Sequence, residues 1–114
     1  MIRLIANPAR YEGRLVRLSG VFQFGMEECA LYLHREDADL LNGENAVWIS
    51  GKAGLTEKDY QALSGSYAVV EGVFTAKAHG HEGMFVGELR SVSRLERQRT
   101  RADYQKSTIK SGPK

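Results

Sequence analysis

The chain has 114 residues, of which 26% are charged and 42% are apolar, and it contains a single cysteine. This size and composition are typical of one globular domain with its own core. Cys29 alone excludes an internal disulfide, and no apolar run approaches the roughly 20 residues that a membrane helix needs. The N-terminus also lacks the apolar segment of a signal peptide, so we expect a cytoplasmic protein.

Charge is distributed unevenly along the chain. Residues 97–114 contain six basic residues and one acidic residue, a net charge of +5, and have no apolar periodicity. Residues 1–96 contain 10 basic and 13 acidic residues, a net charge of −3. We therefore predict a weakly acidic domain over residues 1–97 and a basic, disordered tail over residues 98–114. Nucleic-acid affinity depends mainly on phosphate neutralisation, so the domain itself is poorly suited to that partner.

The first elements read as a helical turn and a bent strand. The opening residues predict one helical turn that ends near Pro8. In the stretch RLVRLSGVFQF, residues 14–24, apolar residues alternate with polar ones, which indicates a half-buried strand. Gly20 at its centre would permit a bend or bulge, so that one long strand could serve two sides of a small barrel.

Two further strands follow. Residues 28–34, ECALYLH, place Leu31 inward and Tyr32 and His34 outward. After a polar stretch over residues 35–43, the sequence NAVWIS predicts a short third strand with Trp48 on the face opposite to its apolar neighbours.

A helix and two strands complete the pattern. Residues 55–65, LTEKDYQALSG, have apolar residues at helical spacing, Thr56 as the N-cap and a glycine just past the end. The next strand, SYAVVEGVFTA, repeats the shape of the first one, with Gly72 in the place of Gly20. A fifth strand is predicted from about Met84 to Leu95.

The order of these elements is βββαββ. It predicts an all-β protein with one short helix, a five-stranded OB-fold-like barrel preceded by a short N-terminal helical turn. A ferredoxin-like sandwich would need a crossover helix between the first two strands, and the gap there is too short to hold one. An SH3-like barrel remains open, although it usually lacks a helix of this length at this position.

The stretch KAHGHEGMF contains two histidines, His79 and His81, between the fourth and fifth predicted strands. In an OB barrel this loop and the first hairpin flank the binding face. A zinc site would need further ligands from His34, Cys29 or scattered carboxylates, and no recognisable ligand spacing is present. We therefore predict no metal or other cofactor and interpret the two histidines as polar residues of a hairpin loop. The alternative is that this loop contacts a partner, as loops on rigid barrels often do.

Enzymatic motifs are lacking, since the sequence contains no glycine-rich phosphate loop, nucleophile elbow or zinc motif. Tyr32 and Trp48 lie on the predicted outer face, where OB folds commonly stack bases on aromatic rings. The acidic segment HREDADLLNGEN borders the same face and would repel a phosphate backbone. Trp48 could equally be covered by the 35–43 loop or by the N-terminal turn.

Several motifs resemble those of a group of small bacterial proteins. They are NPARYEGRLVRLSG near the N-terminus, LYLHRED in the centre and GHEGMF near the end, and the likeness spans nearly all of residues 4–97. The resemblance brings no established activity with it. Such small stand-alone proteins are similar in scale and character to the immunity proteins that accompany bacterial toxins.

Two hypotheses therefore remain. The first is a non-enzymatic protein-binding module, an immunity protein that docks on a basic toxin domain and involves no membrane. Its predicted contact residues are Tyr32, His34, Glu36, Asp37, Trp48, His79 and His81. The alternative is a single-stranded nucleic-acid binder that stacks bases on Tyr32 and Trp48 and meets phosphates with Arg17, Lys77 and the basic tail.

Overall fold

Five strands and four short helices make up the described chain. The computed structural model describes residues 1–50 and 54–110, with no side-chain description for residues 107–110. The strands are β1 (Leu15–Gly25), β2 (Glu28–Tyr32), β3 (Ala46–Ile49), β4 (Tyr67–Thr75) and β5 (Glu88–Arg97). The helices are α1 (Ile2–Ala6), α2 (Arg35–Asp39), α3 (Glu57–Leu63) and α4 (Arg101–Lys110). All five predicted strands are thus present, and so is the predicted helix between the third and fourth strands.

The strands form one mixed sheet in the order β1-β2-β3-β5-β4. Four of the pairings are antiparallel, namely β1 with β2, β2 with β3, β4 with β5 and β1 with β4. The pairing of β3 with β5 is parallel. Because β4 returns to β1, each strand has a hydrogen-bonded neighbour on both sides.

Two glycines lie at the bends of the long strands. β1 pairs with β4 along its first part and with β2 along its last part, and the change occurs at Val21. A Cβ on Gly20 would lie only 2.3 Å from the carbonyl oxygen of Tyr32, so no larger residue fits at this crossing. In β4 the register against β5 shifts around Gly72, which marks a β-bulge. Both bends were predicted from the sequence.

The main core lies on the inner face of the sheet, beneath α3. Alternating residues of all five strands form it together with residues of α1 and α3, and its fully buried members include Phe22, Leu31, Val47, Val70, Phe74 and Leu89. Tyr60 of α3 packs on the ring of Phe24, with ring centroids 5.3 Å apart. The helix begins as predicted at Thr56, whose Oγ1 accepts a hydrogen bond from the backbone N of Asp59 at 3.3 Å.

A second, smaller core covers the outer face of β1, β2 and β3. Its buried members are Val21, Ala30, Tyr32, Ala38, Ala46 and Phe85, and Trp48 packs against them. Ala38 belongs to α2 and Phe85 to the β4–β5 loop, so two segments that follow different strands cover this face together. The sequence analysis leaves open whether this face is exposed or covered by the 35–43 segment, because strand periodicity does not reveal what lies over a face. The structure covers it, in part with Ala38 of that segment.

The structure also differs from the sequence prediction in α2 and in the start of β5, and it contains a helix in the predicted tail. The polar stretch after β2 contains α2, which the sequence analysis leaves without regular structure. β5 begins at Glu88 rather than near Met84. Within the tail that the sequence analysis predicts to be disordered, α4 spans Arg101–Lys110, and Thr100 and Asp103 cap its start reciprocally. The backbone N of Thr100 donates to Asp103 Oδ2 at 2.8 Å, and that of Asp103 donates to Thr100 Oγ1 at 3.3 Å. The last residues of the predicted tail, 111–114, lie outside the described residues.

None of the helices in the described part of the chain is long and apolar enough to cross a membrane.

Candidate functional site

A cleft opens between the β1–β2 hairpin and the β4–β5 loop, and we refer to it as the loop cleft. Its lining combines exposed apolar side chains, acidic side chains and two aromatic rings on the floor. The residues are Met26, Glu27, Glu28, Tyr32, Leu41, His81, Glu82, Met84 and Phe85. Two of the seven predicted contact residues, Tyr32 and His81, therefore line one depression.

The hairpin side of the cleft is a two-residue turn. Gly25 pairs with Glu28, so Met26 and Glu27 form the tip. The Met26 side chain is 95% exposed. Glu27 has a φ of 58°, in the left-handed region that few residues other than glycine adopt. This backbone holds an apolar and an acidic side chain side by side at the tip of a rigid hairpin.

The other side of the cleft is a loop closed upon itself by His79 and Phe85. The backbone N of Phe85 donates to the carbonyl oxygen of His79 at 3.0 Å. The Nδ1 of His79 lies 2.9 Å from the carbonyl oxygen of Phe85. A carbonyl can only accept a hydrogen bond, so Nδ1 must carry the proton. Although His79 is exposed, its imidazole closes the loop, so the side chain has a structural role.

Gly80 brings this loop against Trp48. Its φ of 66° and ψ of −158° fall in a region that is essentially restricted to glycine. A Cβ at this position would lie 2.7 Å from the Cβ of Trp48 and 2.9 Å from the Cδ2 of Phe85. The loop can pack in this way only with a glycine at position 80, and this requirement explains why one residue separates the two histidines.

Trp48 is half-buried beneath the loop. Its ring centroid lies 5.3 Å from that of Phe85 and 6.3 Å from that of His81, and the imidazole is inclined by only 27° to the indole. The Nε2 of His81 lies 3.7 Å from a carboxylate oxygen of Glu27 and 3.7 Å from one of Glu82. The exposed imidazole therefore lies between the indole and the two acidic side chains, one from each side of the cleft.

Tyr32 is not available as a stacking surface. Its side chain is 1% exposed, and its hydroxyl donates to Glu28 Oε2 at 2.7 Å. Burial, assisted by this carboxylate, raises the pKa of Tyr32 well above its usual range. Tyr32 lies on the outer face as predicted, and its exposure, which the sequence left open, is prevented because Ala38, Phe85 and their neighbours cover the ring.

The three predicted contact residues around α2 separate into two groups. His34 and Glu36 are exposed. Asp37 is buried, and its carboxylate accepts hydrogen bonds from the backbone N of His34 at 3.1 Å and from the side-chain amides of Asn42 and Asn45 at 3.2 and 3.1 Å. Asp37 consequently holds α2 and the chain that follows it, and its oxygen atoms are directed into the domain.

Sequence reasoning missed the apolar part of the cleft. Met84 is 48% exposed and Leu41 is 60% exposed, and both line the cleft with Met26. Leu41 also has a left-handed φ of 53°. The exposed methionine beside two glutamates in the short turn GMEE was a usable signal, since apolar residues are unusual at a hairpin tip.

Metal binding has no support from the geometry. Among the residues that the structure describes, no three His, Cys, Asp or Glu side chains are grouped so that they could hold a metal ion. Cys29 is partly buried, and burial together with the charge of Glu28 raises the pKa of its thiol to about 11. A thiol with this pKa is protonated at neutral pH and is a poor nucleophile or ligand.

Comparisons of the chain with protein-family models, with curated proteins and with solved structures found no match. The function of the loop cleft therefore has to be inferred from its own geometry and chemistry.

Proposed function

We propose that the protein is a non-enzymatic protein-binding module and that the loop cleft is its docking site. The observation that carries this proposal is the composition of the cleft. Met26, Leu41 and Met84 present exposed apolar surface, and Glu27 and Glu82 lie on its rim. An apolar centre with a charged rim is the usual arrangement of a protein–protein interface. Flexible methionine side chains adapt well to a partner's surface.

We further infer that the sheet is an OB-fold-type barrel. The pairing order, the parallel contact between β3 and β5 and the placement of α3 between β3 and β4 support this assignment. OB folds bind ligands over β2 and β3, between the first hairpin and the β4–β5 loop. The loop cleft occupies that position, so the proposed docking site coincides with the binding face of the fold.

The acidic rim favours a basic partner. Glu36 and Asp39 on α2 and Glu44 after it are exposed in the same part of the chain that supplies Leu41. Complementary charge raises the rate of association and orients the two proteins, while the apolar centre supplies most of the affinity. Following the resemblance to small bacterial proteins, we propose that this partner is a toxin domain that the protein neutralises by docking on it.

The alternative of single-stranded nucleic-acid binding has weaker support. Tyr32 is buried, and Trp48 is covered in part by Phe85 and His81, so neither ring offers the open face that base stacking requires. Carboxylates also line the cleft that a phosphate backbone would follow. Trp48 would become available only if the β4–β5 loop moved away.

The proposal can be tested with two matched variants of the full chain. Met26→Ser/Met84→Ser removes apolar surface from the cleft, while Ile2→Ser/Leu15→Ser removes exposed apolar side chains elsewhere. Each protein is used as bait for basic toxin domains produced individually, and the dissociation constant of any complex is measured by titration. We expect the cleft variant to bind about tenfold or more weakly and the control variant to bind normally.

Two results would contradict the proposal. One is equal weakening by the two variants, which would place the contact outside the cleft. The other is micromolar binding of a mixed-sequence single-stranded oligonucleotide that quenches Trp48 fluorescence and falls steeply with salt. That result would favour the nucleic-acid alternative.

A further inference from the structure

The C-terminal segment carries a charge opposite to that of the loop cleft. Residues 97–114 have a net charge of +5, whereas the acidic residues of the chain are concentrated in the body. Within this segment, α4 exposes Arg101 and Lys106 and also Tyr104, whose side chain is 59% exposed. An exposed tyrosine flanked by basic residues is the kind of anchor that an acidic, apolar cleft accommodates.

Few described interactions tie α4 to the rest of the molecule. Arg97 at the end of β5 forms an ion pair with Asp103 at 3.1 Å. Arg99 lies over the ring of Tyr104, with its guanidinium carbon 4.4 Å from the ring centroid. The longest dimension of the molecule is 55 Å and the other two are 30 and 28 Å, so the described chain is elongated. The helix is capped locally yet has little packing of its own.

We propose that the basic C-terminal segment of one copy docks in the loop cleft of a second copy. Tyr104 would enter the apolar part of the cleft against Met26 and Met84, and the neighbouring basic side chains would meet Glu27 and Glu82. Complementary charge and the exposed aromatic side chain of α4 are the observations that select this occupant. The inference rests on the proposed function only in that both use the cleft as a protein-docking site.

The position of α4 on the chain favours association between copies. β5 starts three residues after Phe85, which lines the cleft, and the segment begins with the last residue of β5, Arg97. Residues 101–106 of α4 do not line the cleft of their own copy, so that cleft is open to the segment of a second copy. Association would be head-to-tail, because the two surfaces that meet are different.

Charge reversal in the full chain tests this directly. A tail variant, Arg99→Glu/Arg101→Glu/Lys106→Glu, and a cleft variant, Glu27→Lys/Glu82→Lys, each remove one of the two complementary surfaces. The control, Arg10→Glu/Arg14→Glu/Lys58→Glu, makes the same change in net charge as the tail variant at exposed positions elsewhere. Mass is followed against concentration by sedimentation and light scattering at low salt.

We expect the native chain to self-associate and each of the first two variants to associate about tenfold or more weakly, since several ion pairs become repulsive. Mixing the two variants should restore association, because one supplies an intact cleft and the other an intact segment. The control should behave like the native chain.

A native chain that stays monomeric would overturn the proposal, and so would association that the tail variant leaves unchanged or that the control weakens equally. An intramolecular contact would be revealed if the two variants changed the shape of the monomer but mixing restored nothing, and this too would overturn it. Binding of a basic foreign protein to the cleft of such a monomer would leave the proposed function intact, so the two failures can be distinguished.

Discussion

Replacing Gly80 with alanine should detach the β4–β5 loop from Trp48 without unfolding the domain. The backbone at Gly80 has a φ of 66°, and an added Cβ would lie 2.7 Å from the Cβ of Trp48. Gly83 in the same loop also has a φ of 66°, but a Cβ there meets no atom within 4 Å. The two alanine substitutions therefore both introduce a side chain at a positive φ, and only Gly80→Ala adds a steric conflict.

The magnitudes follow from these two contributions. Alanine in a left-handed conformation costs about 1–2 kcal/mol, which is the expected destabilisation for Gly83→Ala. For Gly80→Ala the conformational cost is about 1–3 kcal/mol. Overpacking against Trp48 and Phe85 costs about 1–3 kcal/mol more. A loop that stayed in place would thus cost about 2–6 kcal/mol, and detaching the loop should be the less costly response.

Trp48 is the single tryptophan of the chain, so its fluorescence reports directly on the loop. We expect Gly80→Ala to shift the emission to longer wavelength under native conditions, because the indole becomes exposed to water. Gly83→Ala should leave the emission unchanged and lower the free energy of unfolding in urea by the smaller amount. Equal effects of the two substitutions on emission and stability would refute the packing of Gly80 against Trp48.

Three further substitutions test the roles of individual residues. Asp37→Ala should lower the free energy of unfolding by about 1–3 kcal/mol because it leaves partly buried donors unpaired, whereas the exposed Glu36→Ala should change it little. Tyr32→Phe should cost about 1 kcal/mol at neutral pH. The pKa of Tyr32 is higher in the folded state than in the unfolded state, so above about pH 10 the unfolded chain ionises first and the native chain loses stability. Tyr32→Phe lacks this ionisation, so urea titrations above about pH 10 should show a smaller loss of stability for the variant than for the native chain. Thr100→Ala should reduce the helical circular dichroism signal by removing the cap of α4, and Gln105→Ala should not.

The strands could be predicted from the sequence because their periodicity records a local environment. Val16, Leu18, Phe22 and Phe24 alternate with polar residues and do contribute to the main core. Thr56 also indicates the start of α3 by a rule that involves only a few neighbouring residues. The same local rule applies to Thr100 and Asp103, and α4 could have been predicted from that pair.

Burial of the outer face could not be predicted in this way. Tyr32 has the parity of an exposed residue, and it is covered by Ala38, six positions further along the chain, and by Phe85, which is more than fifty positions distant. Strand periodicity distinguishes two faces and does not show whether a second segment lies over one of them. Gly80 offered a partial signal, since a glycine between two polar residues is compatible with a close contact as well as with a turn.

The covering of that face has a consequence for recognition. A sheet face that stacks bases must keep aromatic rings open, and here the rings of Trp48 and Phe85 are used to hold the β4–β5 loop in place. The aromatic residues thus stabilise the wall of the cleft. The side chains that remain to contact a partner are those at its edge, Met26, Met84 and the glutamates beside them. Such a surface has apolar area and negative charge, and the rings of Tyr32 and Phe85 are buried beneath it. It is suited to a basic protein surface and poorly suited to a phosphate chain, because the carboxylates that attract the first repel the second.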